Sequence, residues 1–273
     1  MSRLSYLLFF PYFLYSALIL AILILCSFPI TALLILFPDT IKNRGMYLLM
    51  KLICHVWFLL TGMWPRNYNR DVLDTAGSYI IIPNHQSYLD AAIIYTSIPV
   101  MFKSLGKKEM EKTPIYGLIY KTVVITVDRS SLRARALSFR QMKEAMENGL
   151  SVTIFAEGTV PDHPQEELLP LQNGAFSLAI LQQCPIAPVL FLDASRRMHP
   201  SRIIRCTPGK NRAVFLPPVQ VTNLNREDTD ALRELTQNYM QTCLNYCREH
   251  GPHHAKEFAV NWMQNNRNRY LAG

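Results

Sequence analysis

A long uncharged run near the N-terminus constrains this chain more than any other feature. Residues 4–38 contain no charged residue and no histidine. A helix that crosses a bilayer needs about 20 apolar residues, so the run suffices for one span and is short for two spans with a turn. Pro29 could kink a single helix or open a shallow hairpin. The run therefore predicts a membrane-embedded helical segment, either a span or a hairpin.

A second apolar segment follows at residues 46–64 and carries Lys51 and His55 in its body. Such groups are costly in hydrocarbon, so this segment is better interpreted as an interfacial helix than as a second span. A signal peptide is the alternative for the first run, but its apolar core would normally be shorter and no clean cleavage site follows. We therefore assign residues 1–65 to an N-terminal membrane anchor.

The distribution of basic residues predicts the orientation of the main domain. Arg3 precedes the uncharged run, and five basic residues follow it: Lys42, Arg44, Lys51, Arg66 and Arg70. This excess places the main domain on the cytoplasmic face of a membrane. The whole chain has 28 Lys and Arg against 20 Asp and Glu, a net charge of +8, which suits anionic membrane lipids or phosphorylated substrates. No nucleic-acid-binding motif accompanies that charge, and we expect no nucleic-acid partner.

Strand-like and helix-like segments alternate from about residue 70. Candidate strands cover residues 79–82, 100–103, 123–127, 151–155, 186–191, 203–206 and 212–216, and candidate helices cover 88–97, 132–148, 174–183 and 227–249. This alternation predicts an α/β fold with a mostly parallel central sheet flanked by helices. We assign residues 66–250 to one catalytic domain and 251–273 to a C-terminal tail. A frayed terminus is the preferred interpretation of that tail over a short interfacial helix.

A histidine and an aspartate five residues apart follow the first of these strands. The apolar run 79–82 predicts a buried strand, and Pro83-Asn84 predicts a turn at its end. Five steps on an ideal helix separate two side chains by about 140°, so one straight helix would not bring His85 and Asp90 together. We predict that His85 lies in the turn and Asp90 in the first turn of the next helix. This pair suits general-base catalysis, and a helix-capping pair is the structural alternative.

Further motifs follow in order along the chain. They are Gly-Lys-Lys-Glu-Met at 106–110, Pro-Ile-Tyr-Gly at 114–117, Val-Asp-Arg at 127–129, Phe-Ala-Glu-Gly-Thr at 155–159, Leu-Pro-Leu-Gln-Asn-Gly at 169–174 and Pro-Ile-Ala-Pro-Val at 185–189. Together with Asn84-His85 and Asp90, this set resembles the glycerolipid acyltransferase family typified by lysophosphatidic acid acyltransferase. The family's hallmarks are N-H-x-x-x-x-D, a basic block ending in D-R, an E-G-T block and a late proline-rich strand. The resemblance covers roughly residues 80–190.

The resemblance implies a membrane-bound O-acyltransferase of phospholipid biosynthesis. The implied reaction moves a fatty acyl group from a thioester, acyl-CoA or acyl-carrier protein, to a lysophospholipid hydroxyl, with lysophosphatidic acid as the expected acceptor. His85 would be the general base and Asp90 would orient it. No further cofactor is implied. The chain has no G-x-S-x-G motif, which disfavours a serine hydrolase, and Ser87 is only a minor candidate nucleophile.

Three segments supply candidate substrate-binding residues. Arg129 follows a predicted strand, and a guanidinium group can bind phosphate oxygens in pairs. Lys107 matches the family's lysine and could supply a second positive charge, with Lys108 as the alternative or with both as ordinary surface charges.

The Glu157-Gly158-Thr159 block follows another predicted strand, at the sheet edge where α/β folds bind ligands. Gly158 would allow close backbone approach, and Thr159 would add a hydroxyl donor. Glu157 could accept hydrogen bonds from acceptor hydroxyls, and a salt bridge that holds the loop is its structural alternative.

Two positions depart from the family pattern. Val160 stands where many members have a basic residue after E-G-T, and Gln172 stands near a frequent lysine. Both changes remove positive charge from the acceptor side. Another lysolipid or an amino-acid-based lipid is therefore an alternative acceptor. A membrane-tethered lipid-binding module without turnover is the non-enzymatic alternative, although His85 and Asp90 are both present.

The cysteines do not indicate a disulfide framework or a metal site. Six are scattered along the chain, so we expect reduced thiols in a cytosol-facing domain. Cys243, Cys247 and His250 could lie on one helix face as metal ligands. Packing of small thiols in an amphipathic helix is the preferred interpretation, because helical i, i+4 cysteines are not a usual zinc spacing. We therefore predict no metal.

Overall fold

A seven-stranded sheet organises the computed structural model, which describes residues 3–127, 131–162 and 167–271. The strands of the chain are β1 (Met63–Tyr68), β2 (Ile80–Pro83), β3 (Phe102–Lys107), β4 (Val124–Val127), β5 (Ser151–Thr153), β6 (Ile186–Phe191), β7 (Met198–His199), β8 (Arg202–Cys206) and β9 (Gly209–Phe215). The main sheet has the order β1-β9-β6-β2-β5-β3-β4, and β7 and β8 form a separate hairpin. Only the β6–β9 pair in the main sheet is antiparallel.

Helices cover both faces of this sheet. They are α1 (Arg3–Ile35), α2 (Asp39–Leu60), α3 (Asp90–Ser97), α4 (Tyr116–Val123), α5 (Leu132–Glu147), α6 (Gly174–Gln182), α7 (Ala194–Arg197), α8 (Thr229–His250) and α9 (Ala255–Tyr270). One hydrophobic core lies between the sheet and α5, α6, α8 and α9, and the other lies between the sheet and α2, α3 and α4. The predicted α/β class with a mostly parallel, helix-flanked sheet is confirmed.

The central strands are apolar on both faces because both faces are covered. All four residues of β2 and all six residues of β6 are buried. Successive side chains of a strand point to opposite faces. Accordingly, Ile80 and Ile82 belong to the first core, whereas Ile81 belongs to the second. Continuous apolar runs of this kind are typical of buried parallel strands.

Three expectations about local structure need correction. Residues 63–68 form an edge strand that the sequence did not predict, because Pro65 argues against a central strand and only an edge position tolerates it. Residues 116–123 form a short helix that was also missed. The prediction of a frayed C-terminus is wrong. Residues 255–270 form α9, and Trp262 stacks on Tyr239 with 5.3 Å between the ring centroids.

The uncharged N-terminal run forms one helix that continues through Pro29. The predicted alternative of a hairpin that opens at Pro29 is therefore wrong. Residues Phe9–Ile35 are, among the described residues, the one helical stretch long and apolar enough to cross a membrane. This helix packs antiparallel to α2 through hydrogen bonds from Tyr12 Oη to the Thr61 carbonyl (2.6 Å) and from Trp57 Nε1 to the Ser16 carbonyl (2.9 Å). Because α2 buries one face against the sheet domain, α1 is joined to that domain through α2.

The outward sides of α1 and α2 form a large apolar surface, which we call the N-terminal apolar face. Its exposed members include Phe10, Leu14, Leu18, Ile22, Leu25, Phe28, Leu33, Leu36, Leu48, Leu52 and Leu59. Contiguous apolar surface of this size is rare on soluble monomers and marks contact with a membrane or another protein.

A glycine in α4 is required by close packing and provides a test of the fold. A Cβ atom at Gly117 would lie 2.1 Å from the carbonyl oxygen of Glu111, which is backbone and cannot easily move. We expect Gly117→Ala to lower the free energy of unfolding by about 1–3 kcal/mol, measured by denaturant titration in detergent. Gly174→Ala is the matched control, because no atom lies within 4 Å of its added methyl group. Equal stabilities of the two variants would contradict the packing.

Candidate active site

The predicted site residues lie at one edge of the sheet because four neighbouring strands run parallel. His85 follows β2, Glu157 follows β5, and Lys107 ends β3. In the adjacent ladder, Lys107 pairs with Val127, the last residue of β4. The carboxyl ends of these strands therefore lie side by side, and this is the edge where α/β sheets bind ligands.

His85 and Asp90 are in direct contact. His85 Nδ1 lies 2.7 Å from Asp90 Oδ2. The Asp90 side chain is fully buried, whereas 18% of the His85 side chain is exposed. His85 lies in the turn after β2 and Asp90 is the first residue of α3, so the chain folds back as the spacing predicted.

Asp90 also holds the backbone of the turn. Its Oδ2 atom accepts hydrogen bonds from the backbone N–H groups of Gln86 (2.6 Å) and Ser87 (2.8 Å). A carboxylate oxygen can only accept hydrogen bonds, so we assign the imidazole proton to Nδ1 of His85. The Nε2 atom is then the ring nitrogen that can take a proton from a substrate.

Phe155 holds the plane of the imidazole ring. The two rings stack with centroids 4.2 Å apart and an interplanar angle of 22°. Phe155 lies just after β5, the strand that pairs with β2, so the sheet itself brings the two rings together. This contact could not be predicted from the sequence, because an aromatic residue beside a strand gives no local signal of the ring that it will stack on.

Asn84 ties the active-site turn to the neighbouring strand β6. Its side-chain Oδ1 accepts a hydrogen bond from Phe191 N (2.6 Å), and its Nδ2 donates to the Phe191 carbonyl (3.2 Å). The side chain is buried, so both polar atoms need such partners. This residue was visible in the motif, but its partner depends on β2 and β6 being neighbours in the sheet.

The hydroxyl group of Ser87 forms hydrogen bonds within the protein. It is completely buried, and its Oγ donates a hydrogen bond to the Met198 carbonyl at 2.6 Å. The same oxygen accepts a hydrogen bond from Leu89 N at 3.2 Å. A hydroxyl held in this way is poorly placed to attack a substrate, which agrees with its rank as a minor candidate.

Glu157 accepts hydrogen bonds from two backbone N–H groups. Its Oε1 accepts a hydrogen bond from His85 N (2.7 Å) and its Oε2 accepts one from Leu169 N (3.0 Å). The side chain forms no ion pair with a basic residue among the described residues, so the predicted salt bridge is replaced by backbone contacts. Glu157 therefore joins the active-site turn to the segment at residue 169. Burial raises the pKa of its carboxyl group to about 7.

The remaining substrate-binding candidates differ in position. Gly158 has a φ angle of +77°, a left-handed conformation that suits glycine, and Thr159 is exposed. The Lys107 side chain is exposed at the end of β3, and Lys108 begins a 3₁₀ turn beside it. Arg129 follows β4 by two residues and lies outside the described residues.

Two cysteines of α8 pack inside the protein. Among the described residues, no cluster of three or more His, Cys, Asp and Glu side chains could hold a metal ion. Cys243 and Cys247 are buried in the first core, whereas His250 is largely exposed. Burial raises the pKa of the Cys247 thiol to about 11, which disfavours the thiolate that a metal would require.

Comparison with known proteins places this geometry in a family. The acyltransferase family model matches residues 65–192, the segment that carries His85, Asp90 and Glu157. Just under half of the chain is thus similar to the acyltransferase family. The resemblance of the sequence motifs to glycerolipid acyltransferases is thereby confirmed.

Curated relatives of this chain come from distant organisms. An uncharacterized acyltransferase of Schizosaccharomyces pombe is 29% identical over 181 residues, which cover 64% of this chain and 63% of the relative. Human 1-acyl-sn-glycerol-3-phosphate acyltransferase alpha is 28% identical over 60% of this chain and 58% of its own length. A probable 1-acyl-sn-glycerol-3-phosphate acyltransferase of Mycoplasma pneumoniae is 22% identical over 76% of this chain and 81% of its own length. The chain thus matches less than two thirds of the yeast and human proteins.

A solved structure shares the fold over nearly the whole chain. The crystal structure of the 1-acyl-sn-glycerophosphate (LPA) acyltransferase PlsC from Thermotoga maritima superposes with a TM-score of 0.73. The match covers 91% of this chain and 98% of that protein at 18% sequence identity. The likeness therefore extends to the N-terminal helices as well as to the sheet domain.

The raised pKa of Glu157 makes a prediction about pH. A carboxyl group whose folded pKa exceeds its unfolded value stabilises the fold fully below pH about 4.5, and this stability is lost as pH rises through about 7. We expect the unfolding free energy to fall by roughly 3 kcal/mol across this window because of Glu157. Denaturant titrations of wild type and Glu157→Gln at several pH values should show a smaller pH dependence in the variant.

The matched control for this measurement is Glu257→Gln, because the Glu257 side chain is 81% exposed. This variant should keep the pH dependence of the wild type. An unchanged pH dependence in Glu157→Gln would contradict the assignment of the raised pKa to Glu157.

Proposed function

We propose that this chain transfers a fatty acyl group from a thioester donor to a lysophospholipid hydroxyl, with lysophosphatidic acid as the acceptor and phosphatidic acid as the product. The observation that carries the proposal is the 2.7 Å contact between His85 Nδ1 and Asp90 Oδ2 at the carboxyl edge of the sheet. The match of residues 65–192 to the acyltransferase family model supports the reaction class, and the names of the human and Mycoplasma pneumoniae relatives support the acceptor.

The proposed chemistry is direct attack in a complex of donor and acceptor. Nε2 of His85 takes the proton of the lysolipid hydroxyl as its oxygen attacks the thioester carbonyl. The carbon–sulfur bond then breaks, and the imidazolium returns the proton to the departing thiolate. Asp90 stabilises the imidazolium and keeps Nε2 directed away from the turn. The products are the new ester and the free thiol of coenzyme A or acyl-carrier protein.

Positive charge at the same edge supports a phosphorylated acceptor. Lys107 ends β3 with an exposed side chain, and Arg129 follows β4, the strand paired with it. We propose that these two side chains bind the acceptor phosphate, which the guanidinium group can hold through paired hydrogen bonds.

A second acceptor class is favoured by the uncharged residues on this side of the site. The side-chain amide of Gln172 donates a hydrogen bond to the Pro170 carbonyl (3.3 Å), and Val160 carries no charge. A lysolipid without a phosphomonoester, or an amino-acid-based lipid, would need fewer positive charges there. The non-catalytic lipid-binding alternative is disfavoured, because the contact between His85 and Asp90 is intact.

We also propose that the enzyme works at a membrane through its N-terminal apolar face. The stretch Phe9–Ile35 is long and apolar enough to cross a membrane, and little of it is buried inside the protein. Insertion of this surface into a bilayer would remove it from water and bring lipid substrates close to the sheet domain. We propose that the catalytic domain lies on the cytoplasmic face, and the excess of Lys and Arg after the run supports this orientation.

Replacing the proposed base should abolish turnover without unfolding the protein. We expect His85→Ala to reduce the rate of acyl transfer by about 100- to 10,000-fold, because the variant loses the proposed general base. The measurement is lipid mass spectrometry of purified protein incubated with a fatty acyl thioester and a panel of lysolipids. The same panel identifies the acceptor and the donor.

His254→Ala is the matched control for this variant, since the His254 side chain is 74% exposed and belongs to the opposite helical layer. It should retain wild-type turnover. Near-normal turnover by a folded His85→Ala protein would remove His85 from the mechanism.

Replacing the proposed phosphate ligand should weaken acceptor binding. We expect Arg129→Ala to raise the apparent KM for lysophosphatidic acid by about 10- to 100-fold, with a smaller effect on kcat, because a charge-assisted hydrogen bond is lost. Steady-state kinetics over a range of acceptor concentrations measure this change. Lys121→Ala removes an exposed positive charge from α4 and should leave KM unchanged. Equal KM values for Arg129→Ala and wild type would refute the proposed contact.

A further inference from the structure

A basic cavity lies on the opposite side of the active-site turn from Glu157. Its volume is about 410 Å³, and its lining includes Phe9, Ser195, Arg196, Arg197, His199 and Arg205. This position follows from the strand order, in which β2 lies between β5 and β6. Glu157 follows β5, whereas the pocket residues other than Phe9 follow β6. We call this cavity the arginine pocket.

The arginine pocket carries positive charge that the described protein does not neutralise. No acidic residue lines it, and no described carboxylate forms an ion pair with Arg196, Arg197 or Arg205. The carboxylate that precedes α7, Asp193, is occupied by Arg212 through two hydrogen bonds of 2.7 Å. Unpaired cations in a concave site attract an anion.

The guanidinium group of Arg197 is held in position by the backbone around residues 208 and 209. Arg197 donates a hydrogen bond from Nη1 to the Pro208 carbonyl, and its buried Nε has no hydrogen-bond partner among the described residues. A Cβ atom at residue 209 would lie 2.1 Å from Arg197 Nη1, so Gly209, with a φ angle of +136°, leaves the space for it. A donor that is held in place but unpaired can bind an incoming oxygen at little entropic cost.

The pocket also adjoins the N-terminal apolar face. The guanidinium carbon of Arg205 lies 6.0 Å from the centre of the Phe9 ring, which favours a cation–π contact. The next residue of α1, Phe10, is 47% exposed, and Ile203 on β8 is 44% exposed. Arginines beside exposed apolar side chains are typical of the depth at which lipid phosphates lie.

We propose that the arginine pocket binds the phosphate headgroup of an anionic bilayer phospholipid, separate from the substrate that reacts at His85. The lipid tails would continue along the N-terminal apolar face. The pocket also contacts the active-site turn, since Ser195 Oγ lies 3.4 Å from Gln86 Oε1 and Met198 accepts the hydrogen bond of Ser87. A bound headgroup would therefore orient the catalytic edge of the sheet toward the bilayer.

The test is flotation of the purified full-length protein with vesicles of pure phosphatidylcholine and with vesicles that contain about 20 mol% phosphatidylglycerol. The double variant Arg196→Gln with Arg205→Gln should bind the anionic vesicles about 25-fold more weakly than wild type. Each arginine near the membrane contributes about a fivefold increase in affinity, and the variant loses two of them. Binding to neutral vesicles should not change, because the N-terminal apolar face is intact.

A control pair removes the same charge elsewhere. Arg140 lies on α5, and Arg226 lies next to α8, so both belong to the layer opposite α1 and α2. Arg140→Gln with Arg226→Gln should weaken binding to anionic vesicles by less than about twofold, because exposed charges beyond the Debye length interact weakly with the surface. Equal weakening in both pairs would overturn the proposal in favour of diffuse attraction.

A third variant separates geometry from charge. Gly209→Ala leaves the net charge unchanged but places a methyl group on the Arg197 guanidinium, so it should also weaken binding to anionic vesicles. Its unfolding transition, compared with wild type, shows whether the fold is retained. A folded Gly209→Ala protein with wild-type affinity would contradict a built headgroup site.

Other occupants give different results. Displacement of the protein from anionic vesicles by inorganic phosphate at millimolar concentration would show a site for free phosphate. A raised KM for acyl-CoA in the double arginine variant, with unchanged vesicle binding, would show a site for the donor's phosphates. Either result would overturn the lipid headgroup. His85→Ala should keep the preference for anionic vesicles, so failure of the catalytic proposal and failure of this one are distinguishable.

Discussion

One carboxylate oxygen determines the geometry of the candidate active site. Oδ2 of Asp90 accepts hydrogen bonds from the His85 ring and from the backbone N–H groups of Gln86 and Ser87. The three contacts close the turn between β2 and α3 and leave one imidazole nitrogen available to a substrate. Because Asp90 is fully buried, water does not compete for these hydrogen bonds. The same oxygen therefore fixes the backbone of the turn and orients the imidazole of the proposed base.

Neighbouring strands stabilise this turn from two sides. On the β6 side, the Asn84 amide pairs with the backbone of Phe191. On the β5 side, Glu157 binds the backbone N–H of His85, and Phe155 stacks on its ring. These contacts are possible because β2 lies between β5 and β6 in the sheet. The site is thus rigid through the sheet rather than through its own loop, as precise catalytic geometry requires.

The position of the site relative to lipid depends on the N-terminal helices. Helix α2 packs on the same sheet face as α3, which begins with Asp90, and α1 packs on α2. Insertion of the N-terminal apolar face would therefore bring the catalytic edge to the bilayer. The arginine pocket lies where α1 meets β8, so the proposed headgroup contact and the apolar insertion would act on one side of the molecule.

The sequence by itself determined the class of fold and the contact between His85 and Asp90, because apolar periodicity and the spacing of these two residues are local properties. The sequence also predicted both ends of strand β6 correctly, because a strand that is buried on both faces is apolar throughout. The tertiary structure alone decided what depends on which strands are neighbours: the backbone role of Glu157, the pairing of Asn84 and the stacking of Phe155. Edge strand β1 and helix α9 were likewise decided by packing partners distant in sequence, because burial overrides weak local propensity.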